Sequence, residues 1–187
     1  TKALEQFHHR EVFGPFWNDI LANATATVFT SVAGIESYAN ELFADRVSVF
    51  PGIPEETLRA QWRKVERGGL LEKFNLALRS RSASELPEQD AAWSDVATLI
   101  RLRNALVHFK PEWADAQVVH ADLSAKLAQH FAPSPFTPAE PLFPMAWASH
   151  ECTAWAMQTV LKFIVHFEGC AGLTNRIGPF LSRLSDF

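Results

Sequence analysis

Three side chains with the chemistry to act on a phosphate lie close together in the sequence, at Arg103, Asn104 and His108. A guanidinium stays charged and can bind two phosphate oxygens at once. An imidazole, whose unperturbed pKa is about 6.5, can take up or release a proton near neutral pH. Asn104 can orient His108 or donate a hydrogen bond to a phosphate. Together these residue types could transfer a proton beside a bound phosphate. A lone arginine and a lone histidine on a helix are more often surface or capping residues, and a histidine in the last turn favours the negative end of the helix dipole.

The helix that must carry these residues has apolar positions on two adjoining stripes. At about 100° per residue, one stripe of the segment 95–110 contains Leu99, Leu102, Leu106 and Phe109, and the other contains Val96, Ile100 and Val107. Arg101, Asn104 and His108 cluster opposite the first stripe. Arg103 instead projects into the apolar arc, where a charge is expensive unless it has a partner.

A second helix, over 24–46, places a carboxylate in a similar position. Its buried arc is predicted to contain Val28, Val32, Ile35, Ala39, Leu42 and Phe43. Glu36 projects at the flank of that arc, with Asn40 beside it. Because the charges of Glu36 and Arg103 are opposite, we predict that they meet as an ion pair across a helix interface. The alternative is that the long Arg103 side chain reaches water on its own.

The segment from Leu99 to Lys110, with Arg103, Asn104 and His108 in it, resembles the motif helix of HEPN domains, in which an arginine is followed after four to six residues by a histidine. The run from Ser31 to Phe43 is similar to the companion helix that often supplies an acidic residue. The resemblance covers these two helices, and beyond them only the number of helices.

The resemblance implies an α-helical bundle that forms a homodimer and brings two such motifs to a shared cleft. Many HEPN domains are metal-independent endoribonucleases, often toxins or phage-defence effectors, and an antitoxin or another protein is then a further partner. RNA carries its own nucleophile, the 2′-hydroxyl, so cleavage would leave a 2′,3′-cyclic phosphate and a 5′-hydroxyl. No metal or cofactor is expected.

The roles that follow are specific to residues of this chain. Arg103 would stabilise the charge on the phosphate, His108 would act as acid or base, Asn104 would assist, and Glu36 would orient Arg103. Arg101, Lys110 and Asn40 are predicted to bind the substrate, and Arg101 is the rival phosphate ligand. Arg103 and His108 diverge by about 140° on one helix, so a second subunit is the natural way to bring them together.

The remaining elements are also predicted to be helical. The predicted fold is all-α, a single HEPN-like domain over 1–187 with about five main helices. Helices are predicted over 16–46, from Pro54 to Gly68, over 70–79, 88–109, 121–131 and 148–167, and from Leu173 to about Leu184. Between them, 132–146 contains five prolines and two phenylalanines, Phe136 and Phe143, and is predicted to be extended rather than helical.

Composition limits the possible functions. The chain has 187 residues, 48% of them hydrophobic, and a net charge of -4, which fits a folded domain and excludes a broad electrostatic clamp for duplex nucleic acid. The apolar stretch 153–167 is too short and too interrupted to span a membrane, and the first ten residues lack the apolar core of a secretory signal. Cys152 and Cys170 are expected to be buried and unbridged. A cytoplasmic location is expected.

Two other functions remain open from the sequence. The first is a non-catalytic HEPN-like helical module that binds RNA, a nucleotide or a protein through the same groove or through the proline-rich segment. The second, an enzyme acting on small molecules, has little support, because no other set of acid, base and nucleophile is present.

Overall fold

The computed structural model describes residues 15–109, 120–174 and 176–178. Every regular element in these residues is helical, which confirms the predicted all-α class. The elements are α1 (Pro15–Ala44), α2 (Arg46–Val49), α3 (Glu55–Val65), α4 (Leu70–Ser80), α5 (Ala91–Val107), α6 (Ala121–Leu127), a π-helical segment (Leu142–Ala146) and α7 (His150–Ala171). Within the described residues, no helix has the length and apolarity to cross a bilayer.

The chain divides into two compact units, each built from two separate stretches. The first unit comprises Thr1–Val32 and Thr98–Gln158, and the second comprises Ala33–Ala97 and Thr159–Phe187. The core of the first unit includes Val28, Leu99, Leu102, Leu127, Phe143 and Trp147. The core of the second includes Ile35, Leu42, Phe74, Leu78, Phe163 and Phe167. The single domain over 1–187 stays a prediction.

Most of the predicted core positions of α1 are buried. Val28, Val32, Ile35, Ala39 and Leu42 are at most 2% exposed, whereas Phe43 is half-buried. The helix ends at Ala44 instead of at Arg46, and the short helix α2 follows directly. The apolar spacing therefore identified the buried face correctly, because a face that packs on a core must repeat every three to four residues.

Helix α5 begins at a side-chain cap. The carboxylate oxygen Oδ1 of Asp90 accepts a hydrogen bond of 3.0 Å from the backbone N–H of Trp93, which satisfies one of the donors that have no partner inside the helix. The helix therefore starts at Ala91 rather than at the predicted Glu88, and it ends at Val107 rather than at Phe109. Arg103 and Asn104 lie in the last turns of this helix, and His108 follows its last residue.

The sequence predicted that the proline-rich segment 132–146 is extended, and this prediction is wrong for its last five residues. Leu142–Ala146 form a π-helical segment that is interrupted at Phe143, where φ is -120° and ψ is 133°. The backbone N–H of Phe143 donates to Ser124 Oγ over 3.2 Å, and Trp147 Nε1 donates to the carbonyl of Pro144 over 2.9 Å. These bonds, together with the burial of the Phe143 side chain, hold a wide turn that two prolines alone would not predict.

Two further helix predictions differ from the structure in whole or in part. Helix α6 ends at Leu127 and is followed by a turn, so the predicted helix over 121–131 is shorter. Leu173 and Thr174 are not helical, and most of the helix predicted from Leu173 to Leu184 lies outside the described residues.

Candidate functional site

The end of α5 presents two of the predicted site residues to solvent. Asn104 and His108 are both exposed. The backbone N–H of His108 donates to the carbonyl of Asn104 over 2.8 Å, so His108 continues the helical geometry although the helix itself ends at Val107. The i, i+4 relation makes these two residues neighbours on the helix surface. An exposed imidazole beside an amide is available to a substrate.

Arg103 lies deeper than its neighbours. The residue is half-buried, and its Nε is fully buried without a hydrogen-bond partner in the described part of the chain. A buried donor without an acceptor costs about 1–3 kcal/mol.

Arg101 is engaged in an ion pair that the sequence did not indicate. Its Nη2 lies 2.8 Å from Oδ2 of Asp122, in the first turn of α6, and the two side chains are 43% and 67% exposed. The hydrogen bond from Arg101 lowers the pKa of the Asp122 carboxyl from its ordinary value. Exposed pairs of this kind contribute little to stability, so a phosphate can compete with Asp122 for Arg101.

The two predicted residues on α1 meet a buried lysine. Nζ of Lys73 lies 3.5 Å from Glu36 Oε1 and 3.2 Å from Asn40 Oδ1, and it lies 5.3 Å from the centre of the Trp62 ring. The Lys73 side chain is only 5% exposed, whereas Glu36 is 47% exposed. Glu36 thus has a cation as partner within its own unit, and its role in orienting Arg103, in the other unit, stays a prediction.

Sequence analysis overlooked Lys73, although the signal was present. Lys73 follows three residues after Leu70 and precedes Leu76 and Ala77 by three and four residues, which places it on the apolar face of α4. Leu76 and Ala77 are buried, as is Phe74. A helical wheel of α4 would have shown a second cation on a buried face.

Two residues that were assigned to the apolar stripes of α5 are in fact exposed on either side of His108. Val107 and Phe109 are each 48% exposed. The Phe109 ring lies parallel to the buried His120 ring at a centroid distance of 6.2 Å, and 6.1 Å from the Phe143 ring. The stripe prediction was wrong at these positions because the helix ends there and the chain leaves the core.

The two cysteines differ from each other. Cys152 is fully buried, and burial raises the pKa of its thiol to about 12. Cys170 is exposed, with its Sγ 3.9 Å from His166 Nε2, so the expectation of a second buried cysteine was wrong. Among the described residues, no three His, Cys, Asp or Glu side chains are placed to hold a metal ion. Lys110 lies outside the described residues.

Comparison with known proteins identifies no relative. No family model, no curated protein and no solved structure matches the chain. The interpretation of the site therefore depends on its own residues and on the motif that they resemble.

Proposed function

We propose that this chain is a metal-independent endoribonuclease of the HEPN type, active in the cytoplasm as a homodimer. The observation that carries the proposal is the arrangement at the end of α5, where the Arg103–His108 motif combines an exposed imidazole with a guanidinium whose buried Nε has no acceptor among the described residues. The metal-free chemistry follows from the substrate, because the 2′-hydroxyl of RNA is the nucleophile.

His108 would take the proton of the 2′-hydroxyl or deliver one to the departing 5′-oxygen. Arg103 would bind the phosphate oxygens as negative charge develops on them, and Asn104 would hold His108 or the phosphate by a hydrogen bond. Because Arg103 and His108 diverge by about 140° on the helix, we assign the completion of the site to a two-fold partner, whose patch would lie against the same patch of the first subunit.

The proposal is tested with the full chain, a single-stranded RNA and a structured RNA, in buffer containing EDTA. We expect cleavage with fragments that carry a 5′-hydroxyl, which polynucleotide kinase labels without prior phosphatase treatment. His108→Ala should reduce the rate by about 10²–10⁴-fold, the usual contribution of a general acid or base. His150→Ala, which removes another exposed histidine, is the matched control and should cleave normally.

Complementation tests the shared site. Mixing inactive Arg103→Gln with inactive His108→Ala should restore part of the activity if each site takes residues from both subunits. Cleavage that persists in His108→Ala would refute the mechanism. If the unaltered chain binds RNA at high protein concentration but leaves it intact in EDTA, the non-catalytic module is the correct interpretation.

A further inference from the structure

A cavity in the second unit combines an apolar wall with a polar rim. It has a volume of about 290 Å³ and is lined by the C-terminal part of α1, by α2 and by α3. Phe43, Leu58 and Trp62 form its apolar part, and the Phe43 and Trp62 rings lie 4.7 Å apart. This volume is at the lower end of the range of small-molecule sites, which begins at about 300 Å³. The ligand must therefore be small.

The rim of the cavity carries an excess of positive charge. Glu55 is shared by two arginines that line the cavity, with Oε2 at 2.5 Å from Arg46 Nη2 and Oε1 at 2.6 Å from Arg59 Nη2. A guanidinium has five N–H donors, and in the described residues Glu55 is the only ion-pair partner of either arginine. One carboxylate therefore balances only one of the two positive charges, and several N–H donors remain for an anion.

The buried Lys73 determines the orientation of a third donor, the side-chain amide of Asn40. Lys73 is a donor only, so the Asn40 atom that faces its Nζ at 3.2 Å must be the carbonyl oxygen Oδ1. The amide NH₂ of Asn40 is consequently directed away from Lys73. Since Asn40 also lines the cavity, Lys73 acts as a positioning residue that sets which end of the amide a ligand can meet.

We infer that this cavity binds a small organic anion, whose negative head is held by Arg46, Arg59 and the Asn40 amide and whose apolar body lies against Phe43, Leu58 and Trp62. An aromatic carboxylate and a nucleoside monophosphate both have this chemistry. The inference does not depend on the proposed ribonuclease activity, because it uses none of the residues on α5. Asn40 is the one residue of the cavity that was also predicted to bind the RNA substrate.

The test is isothermal titration calorimetry of the full chain with naphthoate, its neutral analogue naphthamide, and adenosine monophosphate. Naphthoate should bind about tenfold more tightly than naphthamide, since charge-assisted hydrogen bonds contribute that much or more. Comparison of naphthoate with adenosine monophosphate distinguishes the two sources of the anion.

Four variants locate the site. Arg46→Gln and Arg59→Gln should each weaken binding of the tighter anion about tenfold. Lys73→Met should weaken binding of the anion and leave binding of naphthamide unchanged. Arg63 lies on α3, as Arg59 does, but it is exposed and does not line the cavity. Arg63→Gln should therefore leave the affinity unchanged. Equal affinity for acid and amide, binding of neither anion below millimolar concentration, or an Arg63→Gln effect as large as that of Arg59→Gln would each overturn the inference.

Discussion

Replacement of Arg81 should destabilise the protein far more than replacement of its neighbour Arg79. The Arg81 guanidinium donates to three backbone carbonyls, those of Val49, Ala171 and Gly172, the last over 3.2 Å. Carbonyls at the ends of helices have no partner within the helix. Arg81 therefore satisfies the ends of α2 and α7 at the same time.

The size of the stability loss in Arg81→Ala follows from the burial of these hydrogen bonds. Two of the three bonds are partly buried and one is exposed. A hydrogen bond to a charged group contributes about 1.5–3 kcal/mol, so the two partly buried bonds together give a loss of about 3 kcal/mol in Arg81→Ala. In a domain of this size, that loss lowers the melting temperature by about 6–12 °C.

Arg79→Ala is the matched control, because Arg79 lies in the last turn of α4, two residues before Arg81, and makes one pair, with Glu85, in which both side chains are nearly half-exposed. Its loss should be below about 1 kcal/mol. Urea unfolding followed by circular dichroism measures both variants, and Arg81→Lys should recover only part of the stability, since an ammonium does not reproduce the planar fork. Equal losses in Arg81→Ala and Arg79→Ala would refute this account of the helix ends.

Two further predictions concern pH. Burial raises the pKa of Asp90, but hydrogen bonds from the Trp93 N–H and from His166 outweigh it, and the net shift is downward. The stabilisation from the Asp90 charge should be complete above about pH 4 and lost as the pH falls through the lower folded pKa, so urea unfolding curves of the unaltered chain and Asp90→Asn should differ at neutral pH and converge in acid. Burial and a 2.7 Å hydrogen bond to Glu168 raise the pKa of Tyr38, the single tyrosine; ultraviolet titration should show no tyrosinate near pH 10 while the chain is folded, with stability falling as the pH rises above that value. A midpoint near 10 in the native protein would contradict the buried contact.

The sequence predicted the helices and their buried faces better than it predicted which side chains contact one another between helices. The buried face of α1 and the helical class followed from spacing, because one face of an amphipathic helix must meet a core. Spacing gives an angle around one axis and says nothing about the element opposite. Asp122, 21 positions after Arg101 in the sequence, and Lys73, opposite Glu36 and Asn40, therefore became visible only when the helices were placed.

The proline-rich segment shows a second limit. Prolines 141 and 144 argue against a regular helix, because each lacks an N–H. The wide turn of Leu142–Ala146 nevertheless forms, because its polar groups find partners outside the local backbone pattern, at Ser124 and in the Trp147 indole. Such partners depend on tertiary packing, which overrides local preference.

The two arginines of the motif helix are suited to different parts of one task. Arg101 and His108 are seven positions apart, which returns them to within about 20° of each other on the helix, with Asn104 on the same side. A nucleic-acid backbone that follows this face can take Arg101 from the exposed Asp122 at low cost. Arg103 lies away from this face, with a buried Nε that lacks an acceptor in the described chain. In the proposed ribonuclease, Arg101 would bind RNA beside His108 of its own subunit, and Arg103 would complete the site across the two-fold axis. Arg101→Gln should therefore weaken RNA binding, while only Arg103→Gln is rescued by mixing with His108→Ala.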